Sequence, residues 1–293
     1  MEGGINYKGS GVDIGLEKEC SKMMYEASKR TWENRKGMVG EVVVPYDTFS
    51  GLRYVRMSDL KNIAMYPNSD GVATKIEIAE RLSTYTGDFS YHRGIARDLF
   101  AMVCDDAVVK GGEPILVVNN LSVNKLKKEL IENLAEGVVD AASIARVISA
   151  NGEIAQLGYR VCGYGEYNYN WDGAVIWVQN EDKLITGFDV RPGDYIVGLQ
   201  EDGFRCNGLS MVRKVFGDHY SDKWHEREYE GRNMAELALT PSKIYTPALV
   251  EMFGGYNQEP KARVKAVAHI TQGGIPEKLG RVLEPSGYGA DIS

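Results

Sequence analysis

Short strand-like runs alternate with amphipathic helices along most of this chain, and this alternation restricts its fold more than any other feature. From Asp13 to about Arg35, apolar residues recur at helical spacing, and Asp13 is placed to cap the start of the helix. Runs of β-branched or aromatic residues at 42–44, 52–57 and 63–66 are typical of strands separated by turns. Because helices and strands are mixed without an internal repeat, the sequence predicts an α+β protein.

The remaining elements continue the alternation to the end of the sequence. Further helices are predicted near 94–110, 125–150, 208–216, 242–253 and 275–283, and further strands at 115–118, 174–178, 195–199 and 264–269. A chain of 293 residues exceeds one average domain, so two domains are expected. The segment 180–189 is the best candidate for their junction, which gives domains 1–180 and 181–293.

Charge and composition narrow the classes of partner. The net charge is -7, and the lysines and arginines are scattered, so no basic stripe for nucleic acid is present. No window approaches the ~20 apolar residues that a membrane helix needs. The four cysteines form no CxxC pair, and the start of the chain has no apolar signal region. We therefore expect a soluble cytoplasmic protein that binds neither nucleic acid nor a membrane.

The segment NSDGVATK (68–75) places a carboxylate, a glycine, a hydroxyl and a lysine between a predicted strand and a predicted helix. Asp70, Gly71, Thr74 and Lys75 at such a corner can hold Mg²⁺ and phosphate oxygens together. The segment is not the GxxxxGK[ST] phosphate loop. On its own, such a cluster is more often a capped turn with a solvated lysine.

A second polar segment, DDAVVKGGEP (105–114), lies at the end of a predicted helix. Asp98 and Asp105 share a helix face but lie ~10 Å apart, so one ion would also need Asp70 or a phosphate. Carboxylates at a helix C-terminus oppose the helix dipole, which favours a function for Asp105 and Asp106. The alternative is that Asp105 and Asp106 simply lie at the end of the helix and have no function.

Six segments taken together resemble one enzyme family. They are YKGSGVD (7–13), SDGVATK (69–75), DAVVKGGEP (106–114), GEIAQ (152–156), FRCNG (204–208) and AHITQGG (268–274). In the same order they resemble the YKxAGVD, TDGVGTK, Dx4GAxP, GETAE, (H/R)SNG and AHxTGGG motifs of the aminoimidazole ribonucleotide synthetase family, also called phosphoribosylformylglycinamidine cyclo-ligases. Each motif alone is weak, but their shared order along almost the whole chain identifies a member of this family.

The resemblance implies a fold and a reaction. The fold has two domains, and the N-terminal halves of two chains pair into a homodimer with a β-barrel across the interface and the active cleft beside it. In the reaction, ATP phosphorylates the formyl amide oxygen of formylglycinamidine ribonucleotide, and the amidine nitrogen then closes the imidazole ring. Such chemistry needs positioning and charge neutralisation more than a nucleophilic side chain.

The resemblance also implies the site residues. Asp70, Asp106 and Glu153 would coordinate Mg²⁺, while Lys75 and Lys8 would meet the phosphates of ATP. The catalytic set would be Asp70, Lys75, Asp106 and His269, and the nucleotide-binding set would be Lys8, Asp70, Gly71, Thr74, Lys75, Asp106 and Asn207. Asn207 and His269 would line the cleft. From its position alone, His269 at a strand end also fits a structural histidine.

Several positions depart from the family pattern. Arg205 stands where many relatives have histidine, Cys206 replaces a hydroxyl residue, and Gln156 replaces the second acid of GETAE. These changes leave open how many metal ions bind and how the phosphate is bound. An aromatic-rich stretch at 163–171 resembles a variant branch and fits either a surface loop or a substrate contact. The family continues beyond the point matching Ser293, so a shortened second domain with an exposed sheet edge is expected.

Other members of the superfamily are the nearest rivals. Selenophosphate synthetase needs a reactive cysteine near its N-terminus, and residues 1–19 contain none. The segments YKGSGVD and AHITQGG favour the purine enzyme over thiamine monophosphate kinase, and the hydrogenase-maturation dehydratase is a third relative. A non-catalytic or partner-dependent dimeric protein that binds nucleotide is the alternative from a different class.

Overall fold

The computed structural model of the protein describes residues 13–44, 54–57, 60–150 and 153–292. Its helices are α1 (Ile14–Thr31), α2 (Thr74–Thr86), α3 (Arg93–Val108), α4 (Lys128–Ala145), α5 (Leu209–Tyr220), α6 (Met234–Ala238), α7 (Thr246–Phe253) and α8 (Gly274–Leu283). Its strands are β1 (Glu41–Val43), β2 (Tyr54–Arg56), β3 (Ile63–Gly71), β4 (Glu113–Val123), β5 (Ile148–Ser149), β6 (Glu153–Gln156), β7 (Tyr169–Asn180), β8 (Glu228–Tyr229) and β9 (Arg232–Asn233). None of these helices combines the length and the apolar character needed to cross a membrane.

A mixed sheet organises the first part of the chain. Its strands lie in the order β3, β7, β4, β5, and β6 also pairs with β4. β7 runs antiparallel to β3 and to β4, whereas β5 and β6 run parallel to β4. Pro67 has no N–H to donate, and its place in β3 suits the edge of the sheet. α3 packs on β3 and β7, α4 packs on α3, and α1 packs on α4, so helices cover one face of the sheet.

The first helix forms as its pattern predicts. The side chain of Asp13 accepts a hydrogen bond from the Leu16 N–H at 3.1 Å, which satisfies one of the free donors at the helix start. A short 3₁₀ turn, Trp32–Arg35, continues the helix to the predicted end. Cys20 and Met24 are buried in the main core, as expected for the apolar stripe.

Two boundaries in the first part of the chain differ from the prediction. β3 runs on to Gly71, so Asp70 belongs to the end of the strand and not to a turn that follows it. The helix predicted over 125–150 ends at Ala145, because Arg146 adopts a left-handed conformation with φ 57°. Ile148, which was expected on the apolar face of that helix, lies in β5.

The strands predicted at 195–199 and 264–269 are wrong, because both segments are irregular in the structure. A strand needs a backbone neighbour to bond, and neither segment pairs with another within the described residues. Tyr195 is 96% exposed and Val197 is 73% exposed, so the apolar pattern of the first segment is not buried. Within the described residues no sheet closes on itself, and the structure does not show the barrel expected across a dimer.

Candidate active site

The end of β3 turns directly into α2 and brings Asp70 to the edge of the sheet. Asp172 of β7 lies against Gly71, and a Cβ atom at position 71 would overlap its Oδ1 atom. This close approach requires glycine. Ala73 makes the turn into α2 with a left-handed φ of 54°. Asp70 also accepts a hydrogen bond from the Gly71 N–H at 2.7 Å, so the carboxylate is held against the turn.

Burial and neighbouring charges act on Asp70. Partial burial raises the pKa of its carboxyl group, and the negative charges of Asp106 and Asp172 raise it further, while the Gly71 N–H and His269 lower it. Burial also raises the pKa of Asp172. Neighbouring carboxylates favour a bound cation, and oxygen ligands suit a hard ion such as Mg²⁺. Within the described residues no group of three or more His, Cys, Asp or Glu side chains is arranged to hold a metal ion. Asp70 and Asp106 would therefore need phosphate oxygens to complete the ligands of the Mg²⁺ that the family resemblance implies.

Asp106 and His269 meet although they lie far apart in the sequence. Asp106 sits on the last turn of α3, and its Oδ1 atom lies 2.8 Å from Nδ1 of His269. The Asp106 side chain is 38% exposed, whereas that of His269 is 9% exposed. The structure therefore pairs Asp106 with His269 and places both near enough to Asp70 to act on its pKa. We call these three residues the carboxylate cluster, in which Asp106 is open to a ligand.

Asp98 and Asp105 have a different role from metal binding. The Oδ1 atom of Asp98 accepts the Ser242 N–H at 3.0 Å and its hydroxyl at 2.6 Å. The Oδ1 atom of Asp105 accepts the Thr246 N–H at 3.0 Å at the start of α7, and Arg205 donates to its Oδ2 atom at 2.9 Å. Burial raises the pKa of Asp105 in spite of Arg205. These two carboxylates of α3 hold the segment 242–246 by hydrogen bonds, and Asp105 also complements the N-terminus of α7.

Lys75 does not reach the surface. Its ammonium group is fully buried and donates to Asp98 Oδ1 at 2.8 Å, to the Phe204 carbonyl at 2.8 Å and to the Thr240 carbonyl at 2.7 Å. An ammonium has three donors, and all three are used. Lys75 therefore joins α2 and α3 to the second half of the chain, and its contact with a phosphate stays a prediction.

Two helix N-termini meet beside the carboxylate cluster. Thr74, the first residue of α2, lies with its hydroxyl 2.9 Å from the Ser210 hydroxyl in the first turn of α5. Asn207 is exposed and precedes Gly208, which starts α5 with a left-handed φ of 84°. Helix N-termini present free N–H groups and a positive dipole end, both of which favour phosphate. Thr74 and Asn207 lie at the starts of these two helices, and their contact with a nucleotide stays a prediction.

The structure does not bring Glu153 to the other predicted metal ligands. One row of paired residues crosses the sheet from Gly71 through Asp172 and Asn120 to Glu153. Three strand spacings separate Gly71 from Glu153, which is roughly 14 Å. Asp70 points to the opposite face from this row, because side chains alternate along a strand. Within one chain Glu153 therefore lies apart from Asp70, and its role as a metal ligand stays a prediction.

Two residues near the site were missed by sequence reasoning, and one of them, Asp172, lies on the face of the sheet opposite to Asp70. Asp172 lies in a strand pattern without a motif, and only the register of β7 against β3 brings it beside Gly71. Arg205 was noted as a departure from the family, but its contact with His269 depends on folding of the second half. The alternation of polar and apolar residues in 169–175 was the one available signal for Asp172. Lys8 lies outside the described residues.

The aromatic loop (163–171) packs against α2 and the second half of the chain. Glu80, which is 3% exposed, accepts the N–H groups of Tyr164 at 2.9 Å and Tyr169 at 3.2 Å. The Tyr164 ring lies 5.3 Å from His225 and beneath the Arg81 guanidinium at 4.4 Å. The loop thus has a structural role, and its proposed contact with substrate stays a prediction.

The comparisons with known proteins cover both halves of the chain. Residues 56–170 match the N-terminal domain of the AIR synthase related proteins, and residues 191–293 match their C-terminal domain. The phosphoribosylformylglycinamidine cyclo-ligase of Desulfitobacterium hafniense is 30% identical over 99% of this chain and 78% of its own length. The enzymes of the same name from Brevibacillus brevis and Methanocaldococcus jannaschii are each 31% identical over 98% of this chain, which corresponds to 77% and 74% of their lengths.

A solved structure supports the fold. The hydrogenase maturation protein HypE of E. coli matches 92% of this chain and 69% of its own with a TM-score of 0.54 and 12% sequence identity. Fold and site together define a two-domain α+β protein of the AIR synthase related class. Because identity reaches 30% over nearly the whole chain, the protein belongs to the phosphoribosylformylglycinamidine cyclo-ligase family. The family predicted from the six motifs is confirmed.

Proposed function

We propose that this protein closes the imidazole ring of aminoimidazole ribonucleotide in purine biosynthesis. ATP transfers its γ-phosphoryl group to the formyl amide oxygen of formylglycinamidine ribonucleotide, and the amidine nitrogen displaces phosphate as the ring forms. The similarity to cyclo-ligases over 99% of the chain is the observation that carries this proposal. The non-catalytic alternative is not favoured, because the curated relatives that match nearly the whole chain are named as this enzyme.

The cluster of Asp70, Asp106 and His269 supports a site for the reacting phosphoryl group. Asp70 and Asp106 would hold Mg²⁺, whose positive charge would neutralise the phosphate oxygens of ATP. Thr74 and Asn207, at the two adjoining helix N-termini, would orient the triphosphate. Gly71 keeps the corner open enough for Asp172 to approach. Lys75 is not included among the ligands, because its donors are used inside the protein.

The proposal also covers how the two units of one chain and two whole chains are arranged. The two units 1–180 and 181–293 would form the cleft between them, and two chains would pair through their N-terminal halves as a cytoplasmic homodimer with the barrel that the family implies. Neither nucleic acid nor a membrane would be a partner. Lys8 and Glu153 would belong to the site only if the dimer or a segment outside the described residues brings them there.

The test is formation of aminoimidazole ribonucleotide from formylglycinamidine ribonucleotide and Mg·ATP, measured together with ADP release. We expect one ADP for each ring formed, with neither product when the ribonucleotide is omitted. Nucleotide binding without ring closure, at protein concentrations that support the dimer, would instead favour the non-catalytic alternative.

A further inference from the structure

A pocket of about 510 Å³ opens at the surface between the first two turns of α3 and the last three turns of α4, and Pro241 of the second half closes one side. Its volume is in the range of pockets that bind small organic molecules. Arg97 lines this pocket, whereas Asp106 lies further along the same helix. Roughly 14 Å of helix separate the two residues, so the pocket lies apart from the carboxylate cluster.

Two glycines shape the pocket. A Cβ atom at Gly94 would come within 2.8 Å of the Cγ atom of Pro241, and one at Gly137 would overlap the Arg93 carbonyl oxygen. Glycine therefore lets α4 and the second half of the chain approach the start of α3 more closely than a side chain would allow. Both halves of the chain thus contribute to the walls.

Arg97 has an unpaired donor in the wall of the pocket. Its Nε atom is buried but has no hydrogen-bond partner within the described residues. The neighbouring Arg93 instead pairs with Asp140 at 2.7 Å, so these two charges compensate each other. Buried polar groups of folded proteins nearly always have a partner, and a guanidinium can only donate. Arg97 is therefore placed to receive an acceptor that the described residues do not supply.

We propose that this pocket binds a small organic phosphate, with the phosphate group on the Arg97 guanidinium and the organic part against Ile144 and Pro241. A guanidinium binds two oxygens of a phosphate at once, and the positive end of the α3 dipole at the pocket also favours an anion. The exposed Ser143 hydroxyl offers a further donor for a third phosphate oxygen. Ile144 is 40% exposed and gives the organic part an apolar contact. This site is separate from ring closure.

Calorimetric titration of the full chain with phenyl phosphate, without Mg²⁺ or nucleotide, gives the first test. This probe combines a phosphate group with an apolar ring. We expect one site per chain that binds phenyl phosphate roughly tenfold or more tightly than inorganic phosphate, and no binding of phenol at the same concentrations. Equal affinity for the two phosphates, binding of phenol, or no binding of phenyl phosphate at millimolar concentration would each overturn the proposal.

Substitutions in the pocket give the second test. Arg97→Met should weaken binding of phenyl phosphate roughly tenfold or more, whereas the matched control Arg213→Met removes an arginine that pairs with Glu77 and should leave it unchanged. Ile144→Glu places a negative charge in the pocket and should also weaken binding. Leu157→Glu is its control, because Leu157 is 41% exposed and does not line the pocket. If Arg97→Met does not fold, the Ile144→Glu pair decides, and unchanged binding in either folded pocket variant would contradict the proposal.

Nuclear magnetic resonance shows where the probe binds. In protein labelled with ¹⁵N in the arginine side chains, the Nε–H signal of Arg97 can be assigned by its loss in Arg97→Lys. We expect this signal to shift when phenyl phosphate is added and to stay in place with phenol. Asp106→Asn should show the same shift, because Asp106 belongs to the carboxylate cluster and not to the pocket. A signal that does not shift in the wild-type protein, or a shift that is lost in Asp106→Asn, would place the bound phosphate elsewhere and overturn the proposal.

Discussion

Asp70 and Asp106 are the single residues on which the proposed chemistry most depends. Asp70→Asn and Asp106→Asn should each lower kcat roughly 100-fold or more. Each variant removes a negative charge that holds the metal ion, and that ion stabilises the transition state by several kcal/mol. Asp140→Asn is the control, since this carboxylate belongs to an exposed ion pair with Arg93 on the outer helices. Steady-state rates across a Mg²⁺ titration give the measurement. Near-normal turnover with unchanged Mg²⁺ dependence in either site variant would refute the metal assignment.

Glu80 should give the protein a measurable pH dependence of stability. Burial raises the pKa of Glu80 to about 7, although the N–H groups of Tyr164 and Tyr169 act to lower it. The unfolded chain loses this proton near its ordinary pKa of about 4.3, so the contribution of Glu80 to stability falls as the pH rises from there through about 7. Relative to Glu80→Gln, the wild-type free energy of unfolding should fall by on the order of 1–3 kcal/mol between pH 5 and pH 8. Urea unfolding at both pH values measures it, and a difference that does not change with pH would contradict the prediction.

Among the elements, α2 and α3 are joined by the buried pair of Lys75 and Asp98, whose side chains are both 0% exposed. Lys75→Met leaves a buried carboxylate without its cation and should cost roughly 3–5 kcal/mol of stability. Adding Asp98→Asn should restore part of it, because the amide oxygen can still accept from Ser242. Lys214→Met, in an exposed pair on α5, should cost less than about 1 kcal/mol. If Lys75→Met left the stability unaltered and raised the KM for ATP, Lys75 would belong to the phosphate site.

The elements also show what sequence patterns can and cannot predict. The helix beginning near Gly94 was predicted because its apolar period is strong and Gly111 marks its end. The extension of β3 through Pro67 to Gly71 was missed, since proline and glycine are poor strand residues that only an edge strand accepts. The segment 195–199 was predicted as a strand but is irregular, because its strand-like pattern finds no pairing neighbour within the described residues. Strand formation depends on tertiary partners that a local pattern does not specify.

At the level of the site, the motifs singled out Asp106 and His269, which contact each other in the structure. Their catalytic roles stay a prediction. The burial of Lys75 was missed, because a lysine in a polar motif gives no local sign that three acceptors from distant segments will surround it. Asp172 was missed, because the pairing register of β7 against β3 is a property of the sheet and not of either strand.

In the whole molecule, the two predicted units share buried polar contacts. Asp98 and Asp105 of the first unit bind the backbone at Ser242 and Thr246 of the second. Lys75 likewise donates to carbonyl groups beyond residue 200. Because buried polar groups left without partners are costly, the first unit depends on the second for its stability. The boundary near residue 180 would thus separate domains that fold together.

Association of two whole chains is the remaining prediction, and β3 is where we expect it. Within the described residues the outer edge of β3 has no strand partner, and Met65 and Tyr66 are each 60% exposed. An apolar strand edge open to water favours pairing with another chain, and pairing of identical chains gives a symmetric homodimer. A lysine on an edge strand opposes such pairing.

Sedimentation velocity at micromolar concentration should therefore find a dimer for the wild-type protein and a shift toward monomer for Met65→Lys. Tyr159→Lys places the same charge at a residue that is 96% exposed away from this edge, and it should remain dimeric. Circular dichroism of all three proteins would show that each is folded, so that a change in mass reports association alone. A monomeric wild-type protein would exclude the contact. A Met65→Lys protein that is as dimeric as the control would place the contact elsewhere. If ring-closing activity falls together with the dimer, the second chain would also be needed to complete the active cleft.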